Sequence, residues 1–324
     1  MSLAVFSSAS EWRERYQATG RGSTIAIGNF DGIHLGHQAI LGAALARARV
    51  TGEVATAVTF DPPPLKVLRP EAAPPRLSTN AQRLTWFAAG GLEAAVVLPF
   101  TLELSRMAPA GFVEEVLVRG LCMKAIFVGE NFRFGHKHAG NPALLKELAA
   151  RHGYEVTIVP PVHFRGETVS STVIRREIAC GNVGHAARLL GRPFVLTGAV
   201  VAGTGTGRRF TFPTLNLAPE QELLPAQGVY ITRTKIGGVS YDSVTNIGRR
   251  PTFDGKTLTV ETHLLGHSGG VDPAEMKIRF CKRLRDEKKF AGPEELRTQI
   301  AQDVARATRF FARLAAFHKL RQAV

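Results

Sequence analysis

Residues 23–37 read STIAIGNFDGIHLGH, and this stretch decides the fold of the first half of the chain. Residues 23–30 predict a buried strand, and residues 35–50 predict the helix that follows it. His34 and His37 flank Gly36 at the junction, three residues apart, so both imidazoles can point to one side of the helix start. Such junctions in open α/β sheets bind phosphates, because the helix N-terminal N–H groups and the helix dipole favour anions. We therefore predict a nucleotide phosphate site here, where Gly36 lets a phosphate approach the backbone.

The rest of the first half alternates short apolar runs with helix-like stretches, which is typical of a parallel sheet with crossover helices. Two short helices over 170–190, separated by Gly181 and Asn182, are predicted to end this part of the chain. The predicted strands cover 54–60, 94–98, 124–129 and 155–159, and the predicted helices cover 80–89, 109–118 and 142–152.

The second half consists of β-rich runs separated by glycine and polar turns, with no helical periodicity between them. This pattern predicts an antiparallel sheet or barrel, closed by one long helix that begins near Pro293. We predict an α/β protein with a Rossmann-like domain over 1–187 and a β-barrel domain over 188–324. The predicted strands of the barrel cover 194–202, 228–236, 239–247, 257–265 and 276–284.

The composition is that of a folded protein, since 44% of the 324 residues are hydrophobic and 21% are charged. At roughly 100–200 residues per domain, this length predicts two domains. The longest apolar run, 94–100, is shorter than the about 18 residues that a membrane-spanning helix needs. The N-terminal residues lack the basic start of a signal peptide, so we expect a cytoplasmic protein with no membrane partner. Cys122, Cys180 and Cys281 lie far apart, which indicates buried structural thiols rather than a disulfide framework or a zinc site.

The net charge of +14 is uneven along the chain. Residues 1–187 contain 19 basic and 15 acidic residues, whereas residues 188–324 contain 22 basic and 12 acidic residues. A basic balance favours acidic partners, which include nucleic acid, an anionic membrane surface and small phosphorylated substrates. Charge alone does not choose among these three classes.

Further motifs follow in both halves of the chain. Residues 128–135 read VGENFRFG, and residues 170–175 read SSTVIR, where hydroxyls at a helix start precede an arginine that can reach back towards them. In the second half, GTGTGR at 203–208 precedes PTLN at 213–216, and VETHL follows at 260–264. The glycine-rich run does not match a Walker loop, because it lacks the G-K-[ST] ending.

The order of these motifs resembles the bacterial bifunctional riboflavin kinase/FMN adenylyltransferase (FAD synthetase) family, from about residue 23 to residue 303. For the first domain the resemblance implies transfer of the adenylyl group of ATP to FMN. His34, His37 and Arg175 would be catalytic, by stabilising charge on the leaving pyrophosphate. Asn131 and Phe132 would bind the flavin. The ATP-binding residues would be Gly28, Phe30, Asp31, Gly36, Ser170, Ser171 and Thr172.

For the second domain the resemblance implies phosphorylation of riboflavin to FMN by ATP. Glu261 would be the general base for the attacking hydroxyl. Thr214 and Asn216 would hold Mg²⁺ through a hydroxyl and an amide oxygen, the hard ligands that this ion prefers. Arg285 would bind the flavin. The loop over the ATP phosphates would contain Gly203, Gly207 and Arg208.

Two other interpretations stay open at this point. The family usually has His and Gly where this chain has Ala202 and Thr211, and a side chain at 211 would hinder closure of the glycine loop, so the chain could retain only one activity. A basic nucleic-acid-binding protein is the second alternative. Against it, the charges are scattered and the aromatic residues form no RNA-binding signature, so we expect ATP, riboflavin and FMN as partners rather than nucleic acid. The sequence predicts no oligomeric state.

Overall fold

The computed structural model describes residues 2–201, 213–252, 255–267 and 273–322. These residues form two compact units, Met1–Ser171 and Thr172–Val324. The predicted domain boundary between residues 187 and 188 stays a prediction. No helix among the described residues is long and apolar enough to cross a lipid bilayer.

The first unit is built on a six-stranded parallel sheet whose strands, in order across the sheet, cover 4–6, 94–99, 54–61, 23–27, 123–129 and 155–159. Half of the residues of its central strands over 23–27, 54–61 and 123–129 are Ala, Val or Ile, and most of these strands' residues are buried, as expected of a parallel sheet covered by helices on each side. The strands of the sheet are β1 (Ala4–Phe6), β2 (Ser23–Ile27), β3 (Val54–Asp61), β4 (Ala94–Pro99), β5 (Met123–Gly129) and β6 (Glu155–Val159); a small hairpin adds β7 (His163–Phe164) and β8 (Glu167–Thr168).

Several helices of this unit begin where their sequence contains a capping residue. Thr79 and Gln82 form a reciprocal capping box, and the side chain of Asn141 caps the helix that has Pro142 at its first position. The predicted helix over 109–118 is a short α-helical turn followed by π-helical turns over Phe112–Gly120. The helices are α1 (Ala9–Tyr16), α2 (Leu35–Thr51), α3 (Pro64–Leu68), α4 (Asn80–Ala89), α5 (Leu102–Arg106), α6 (Pro109–Gly111) and α7 (Pro142–His152).

Two apolar cores lie on opposite faces of the sheet. Ile25 and Ile27 of β2 pack in one core, and Ala26 packs in the other, as the alternation of side chains along a strand requires. The strand predicted over 23–30 ends at Ile27, because the next residues turn sharply. Sequence patterns did not predict β1 and α1 at the N-terminal edge of the unit.

The second unit is a closed antiparallel barrel followed by one long helix, as predicted. The two helices that the sequence predicts at the end of the first half precede the barrel in this unit. In order around the barrel, the strands cover 214–219, 255–264, 239–252, 228–236, 275–285 and 194–201. The strand over Thr214–Pro219 was missed as an element, and the strand predicted over 239–247 continues to Thr252. The elements are α8 (Ser171–Ala179), α9 (Val183–Leu190), β9 (Phe194–Val201), β10 (Thr214–Pro219), β11 (Gly228–Ile236), β12 (Val239–Thr252), β13 (Gly255–Leu264), β14 (Glu275–Arg285) and α10 (Pro293–Gln322).

The barrel interior contains a chain of hydroxyl groups. Thr245 lies 2.7 Å from both Thr232 and Thr262 through their hydroxyl oxygens, and all three residues are fully buried. Outside the barrel, Phe311 and Ala307 of α10 pack against Ile231.

The expectation of three buried thiols was wrong, because Cys180 is exposed and Cys122 and Cys281 are only half-buried.

Candidate active sites

The chain between β2 and α2 makes a strained turn. Phe30 and Ile33 have φ values of 48° and 37°, and Gly32 between them has a φ of 77°. Side chains with a Cβ rarely adopt positive φ, and such residues persist only where the surroundings enforce the conformation. Here burial does so, since Phe30 is 0% exposed and Ile33 is 3% exposed. The side chain of Phe30 belongs to the core, so any contact of this residue with ATP would come from its backbone.

Asp31 ties this turn to the segment before α4. Its carboxylate accepts the backbone N–H groups of Leu77 and Ser78, over 3.0 and 3.2 Å. The hydroxyl of Ser78 in turn accepts the N–H of Gly32 over 3.0 Å. These contacts give Asp31 a role in holding the turn, in addition to the ATP contact that the sequence predicts.

The two histidines of the motif stack on one another at the start of α2. Their ring centroids are 3.6 Å apart with an interplanar angle of 20°. His34 is the N-cap of the helix, because its Nδ1 accepts the backbone N–H of His37 over 3.3 Å. An imidazole nitrogen that accepts carries no proton, so neutral His34 is protonated at Nε2. That atom is therefore the one that can donate to a phosphate.

Gly36 gives this pair of rings its space. A Cβ at this position would lie 3.1 Å from Cε1 and 3.2 Å from Nδ1 of His34. The sequence suggests glycine for the approach of a phosphate to the backbone, and the structure adds a second reason, the packing of the His34 ring.

Ser171 of the SSTVIR motif contacts the first motif through a hydrogen bond. The hydroxyl of Ser171 donates to the backbone carbonyl of Asp31 over 3.1 Å. α8 begins at Ser171, as its hydroxyl-rich sequence predicts. Thr172 is exposed and Arg175 is half-buried on this helix, within the second unit.

Asn131 and Phe132 follow the carboxyl end of β5, the parallel neighbour of β2. They therefore lie at the same edge of the sheet as the β2–α2 turn. The Phe132 ring stacks on Phe134 at a centroid distance of 5.4 Å, and Asn131 is exposed. A Cβ on Gly140 would lie 2.8 Å from the Phe134 ring, so glycine is needed at that position of the loop.

In the second unit, Glu261 lies at one level with two asparagines across three adjacent strands. It is in register with Asn216 on β10 and with Asn246 on β12. Residues in register on adjacent strands point to the same face, so the three side chains share one surface. The neighbouring Thr262 points into the barrel, so this surface is on the outside. Thr214 is in register with His263, whose Nδ1 lies 3.0 Å from the carbonyl of Pro213.

This surface includes Asn246 and Glu287, which lie in segments that resemble the family but are not among the predicted site residues. A Cβ on Gly248 would lie 2.6 Å from Oε1 of Glu287 and 3.0 Å from Nδ2 of Asn246. Asn246 belongs to the NIGRRPTF segment at 246–253, and its register with Glu261 required knowledge of the strand pairing. Asn216 is 8% exposed, so it offers a polar group in a sheltered position.

Arg285 is engaged within the second unit. Its Nη2 lies 2.8 Å from Oδ2 of Asp303, a residue of α10 that is 2% exposed, and its Nη1 donates to the carbonyl of Asp286 over 2.9 Å. The guanidinium also lies over the ring of Phe290, at 5.8 Å from the centroid. These contacts fix α10 to β14, and the predicted flavin contact stays a prediction.

The predicted glycine loop, with Gly203, Gly207 and Arg208, lies outside the described residues, as do Ala202 and Thr211. Among the described residues, no group of three His, Cys, Asp or Glu side chains could hold a metal ion. Thr214 and Asn216 provide oxygen donors of other types. They are two residues apart on β10 and share the face on which Glu261 lies, which fits a magnesium ion held together with phosphates.

Comparison with known proteins assigns each half separately. Residues 16–173 match the FAD synthetase family, and residues 190–311 match the riboflavin kinase family. A bifunctional riboflavin kinase/FMN adenylyltransferase from Pseudomonas fluorescens is 38% identical over 290 residues, which cover 89% of this chain and 92% of the relative. The enzyme of that name from Escherichia coli K12 is 33% identical, over 91% of this chain and 95% of the relative.

A crystal structure described as a macrolide-efflux protein from Streptococcus pneumoniae has the same fold. Its TM-score is 0.83 at 28% identity, and the match covers 94% of this chain and 97% of that one. The two matched halves, the full-length relatives and the motifs placed at the sheet edge and on the barrel lead to one conclusion: the chain belongs to the bifunctional riboflavin kinase/FMN adenylyltransferase family.

Proposed function

We propose that this chain makes FAD from riboflavin in two ATP-dependent steps, with one step in each domain. The second domain, from residue 188, phosphorylates riboflavin to FMN, and the first domain, up to residue 187, transfers an adenylyl group from ATP to FMN. The observation that carries the proposal is that one chain matches both families, the first over most of the unit Met1–Ser171 and the second within the unit Thr172–Val324.

Adenylyl transfer needs positioned donors rather than a covalent nucleophile. A phosphate oxygen of FMN attacks the α-phosphorus of ATP, and the bond from that phosphorus to the α–β bridging oxygen breaks. The electron pair leaves with pyrophosphate. Nε2 of His34, the helix N-terminus beside it and His37 would stabilise the charge that develops on this leaving group, which the stacking of the two rings at the start of α2 supports. The family resemblance implies Ser171, Thr172 and Arg175 as further donors to the phosphates.

Phosphorylation of riboflavin needs a carboxylate near the attacking hydroxyl. The 5′-hydroxyl oxygen attacks the γ-phosphorus of ATP, its proton passes to Glu261, and the bond to ADP breaks with its electron pair on ADP. Asn216 and Asn246 are in register with Glu261 on the strands at either side of it. Their side chains would orient the polar groups of the substrates. A magnesium ion held by Thr214 and Asn216 would neutralise phosphate charge.

The remaining alternatives have weaker support. Loss of one activity rests on Ala202 and Thr211, which lie outside the described residues. We expect the enzyme to work in the cytoplasm.

Glu261→Gln tests the kinase half, because glutamine keeps the size of the side chain but accepts no proton. We expect FMN formation from riboflavin to fall by about 10² to 10⁴-fold, while FAD formation from supplied FMN persists. Glu275→Gln, an exposed glutamate on β14, is the matched control. Retention of both activities in Glu261→Gln would exclude Glu261 as the base, and loss of both would indicate misfolding.

A further inference from the structure

Arg83 is a buried cation whose hydrogen bonds all go to neutral groups. It lies on α4 and is 3% exposed. Its Nη1 donates to the backbone carbonyl of Asn29 over 2.8 Å and to the hydroxyl of Thr59 over 2.9 Å. Its Nη2 donates to the carbonyl of Phe60 over 3.3 Å and to Oδ1 of Asn80 over 3.2 Å.

No carboxylate in the described part of the chain forms an ion pair with Arg83. Burial lowers the pKa of its guanidinium, and the charges of Asp61 and Asp31 only partly oppose this shift. Both carboxylates have other partners: Asp61 pairs with Arg76 at 3.1 Å, and Asp31 accepts the N–H of Leu77. Buried charges in proteins are normally paired, so an unpaired one calls for a counter-charge from elsewhere.

The position of Arg83 indicates where that counter-charge would come from. Asn29 and Phe60 lie at the carboxyl ends of β2 and β3, which are parallel neighbours with Ile27 in register with Val58. Ligands of open α/β sheets bind beyond these ends. Asn29 also directly precedes the strained turn at Phe30, so the guanidinium holds the backbone from which the phosphate site begins.

We propose that Arg83 is a positioning residue for adenylyl transfer, which fixes the carbonyls of Asn29 and Phe60 and whose charge favours binding of the ATP triphosphate. The inference rests on the proposed adenylyl transfer in the first domain. Its two parts are separable, because the planar fork of arginine sets the backbone geometry, whereas any cation at this position supplies charge.

Lysine and methionine at position 83 separate these parts. Lysine keeps the charge but not the fork, and methionine keeps much of the apolar stem but loses both. Thr59→Val removes one acceptor of the guanidinium with almost no change in shape; the hydroxyl of Thr59 also donates to the carbonyl of Asn29, over 3.3 Å. Arg49→Met, an exposed arginine on α2, is the matched control.

The experiment measures kcat and the KM for ATP of FAD formation from supplied FMN, with riboflavin phosphorylation as the internal reference. In Arg83→Lys we expect kcat to fall about tenfold while the KM for ATP stays within about threefold of wild type. In Arg83→Met we expect the same loss of kcat together with a KM for ATP raised about tenfold. Thr59→Val should lower kcat about threefold, and Arg49→Met and the kinase step should be unaffected.

The outcomes distinguish the inference from the function on which it rests. A wild-type protein that forms no FAD from FMN would reject the proposed function. Wild-type kinetics of adenylyl transfer in Arg83→Met would overturn the role of Arg83 alone. If Arg83→Met does not fold, wild-type kcat in both Arg83→Lys and Thr59→Val would overturn that role equally. A general loss of stability would lower the amount of active enzyme without the expected split between kcat and KM.

Discussion

Gly36→Ala is expected to damage adenylyl transfer without destabilising the protein. The new Cβ would lie 3.1 Å from Cε1 and 3.2 Å from Nδ1 of His34, whereas ordinary contact begins at 3.4 Å. The ring must therefore move by a few tenths of an ångström. The hydrogen bond from the His37 N–H to His34 Nδ1 is already 3.3 Å long, so this movement breaks it.

Gly36→Ala changes the stability of the protein in two opposite ways, and the two changes nearly cancel. Loss of the capping hydrogen bond costs about 1 kcal/mol, and replacement of a helical glycine by alanine returns up to about 1 kcal/mol. Activity has no such compensation, because a displaced donor no longer faces the developing charge. We expect kcat for FAD formation from FMN to fall by about 10- to 100-fold.

The assay compares Gly36→Ala with Gly42→Ala, since a methyl group added at Gly42, on the same helix, would have open space within 4 Å. Urea unfolding measures stability, FAD formation from FMN measures the affected step, and riboflavin phosphorylation serves as the internal reference. A kcat within twofold of wild type in Gly36→Ala would refute the role assigned to the stacked histidines.

Three further variants and one fragment extend these tests. His37→Ala should lower FAD formation from FMN and leave riboflavin phosphorylation unchanged; normal FAD formation would reject the first-domain site. Gly181→Ala should lower the free energy of unfolding by about 1–2 kcal/mol, measured by urea unfolding, because φ is +79° and the Cβ would lie 2.9 Å from the Arg283 guanidinium. The fragment 172–324, which is the whole second unit, should fold and phosphorylate riboflavin; a folded fragment that binds neither flavin nor ATP would count against a self-contained kinase domain. Thr211→Gly should raise kinase turnover and lower stability by about 0.5–1 kcal/mol; a fall in turnover would show that the wild-type loop tolerates threonine.

Sequence patterns predicted the architecture where local signals agree with tertiary structure. The apolar run of β3 and the capping residues of α4 and α7 are local features, and those elements were confirmed nearly to the residue. The strand Thr214–Pro219, which the sequence patterns did not predict, is short and follows a glycine-rich run, so its alternation is too brief to indicate a strand. Local patterns cannot show which side chains share a face across strands.

The residues of the candidate sites also differ in whether local sequence can reveal them. His34 and His37 could be selected from their spacing and from the family resemblance. The burial of Arg83 could not, since an arginine on an amphipathic helix is usually exposed, and its partners come from three separate segments of the chain. The hydrogen bond from the Leu77 N–H to the Asp31 carboxylate likewise joins residues 46 positions apart, so local sequence does not reveal it.

Separation of the flavins after incubation of the wild-type protein with riboflavin, ATP and Mg²⁺ tests the central claim most directly. We predict that FMN forms first, that FAD follows from it, and that pyrophosphate appears in proportion to FAD. FMN without FAD, even when FMN is supplied, would contradict the assignment of the first domain. FAD from supplied FMN with no conversion of riboflavin would contradict the assignment of the second.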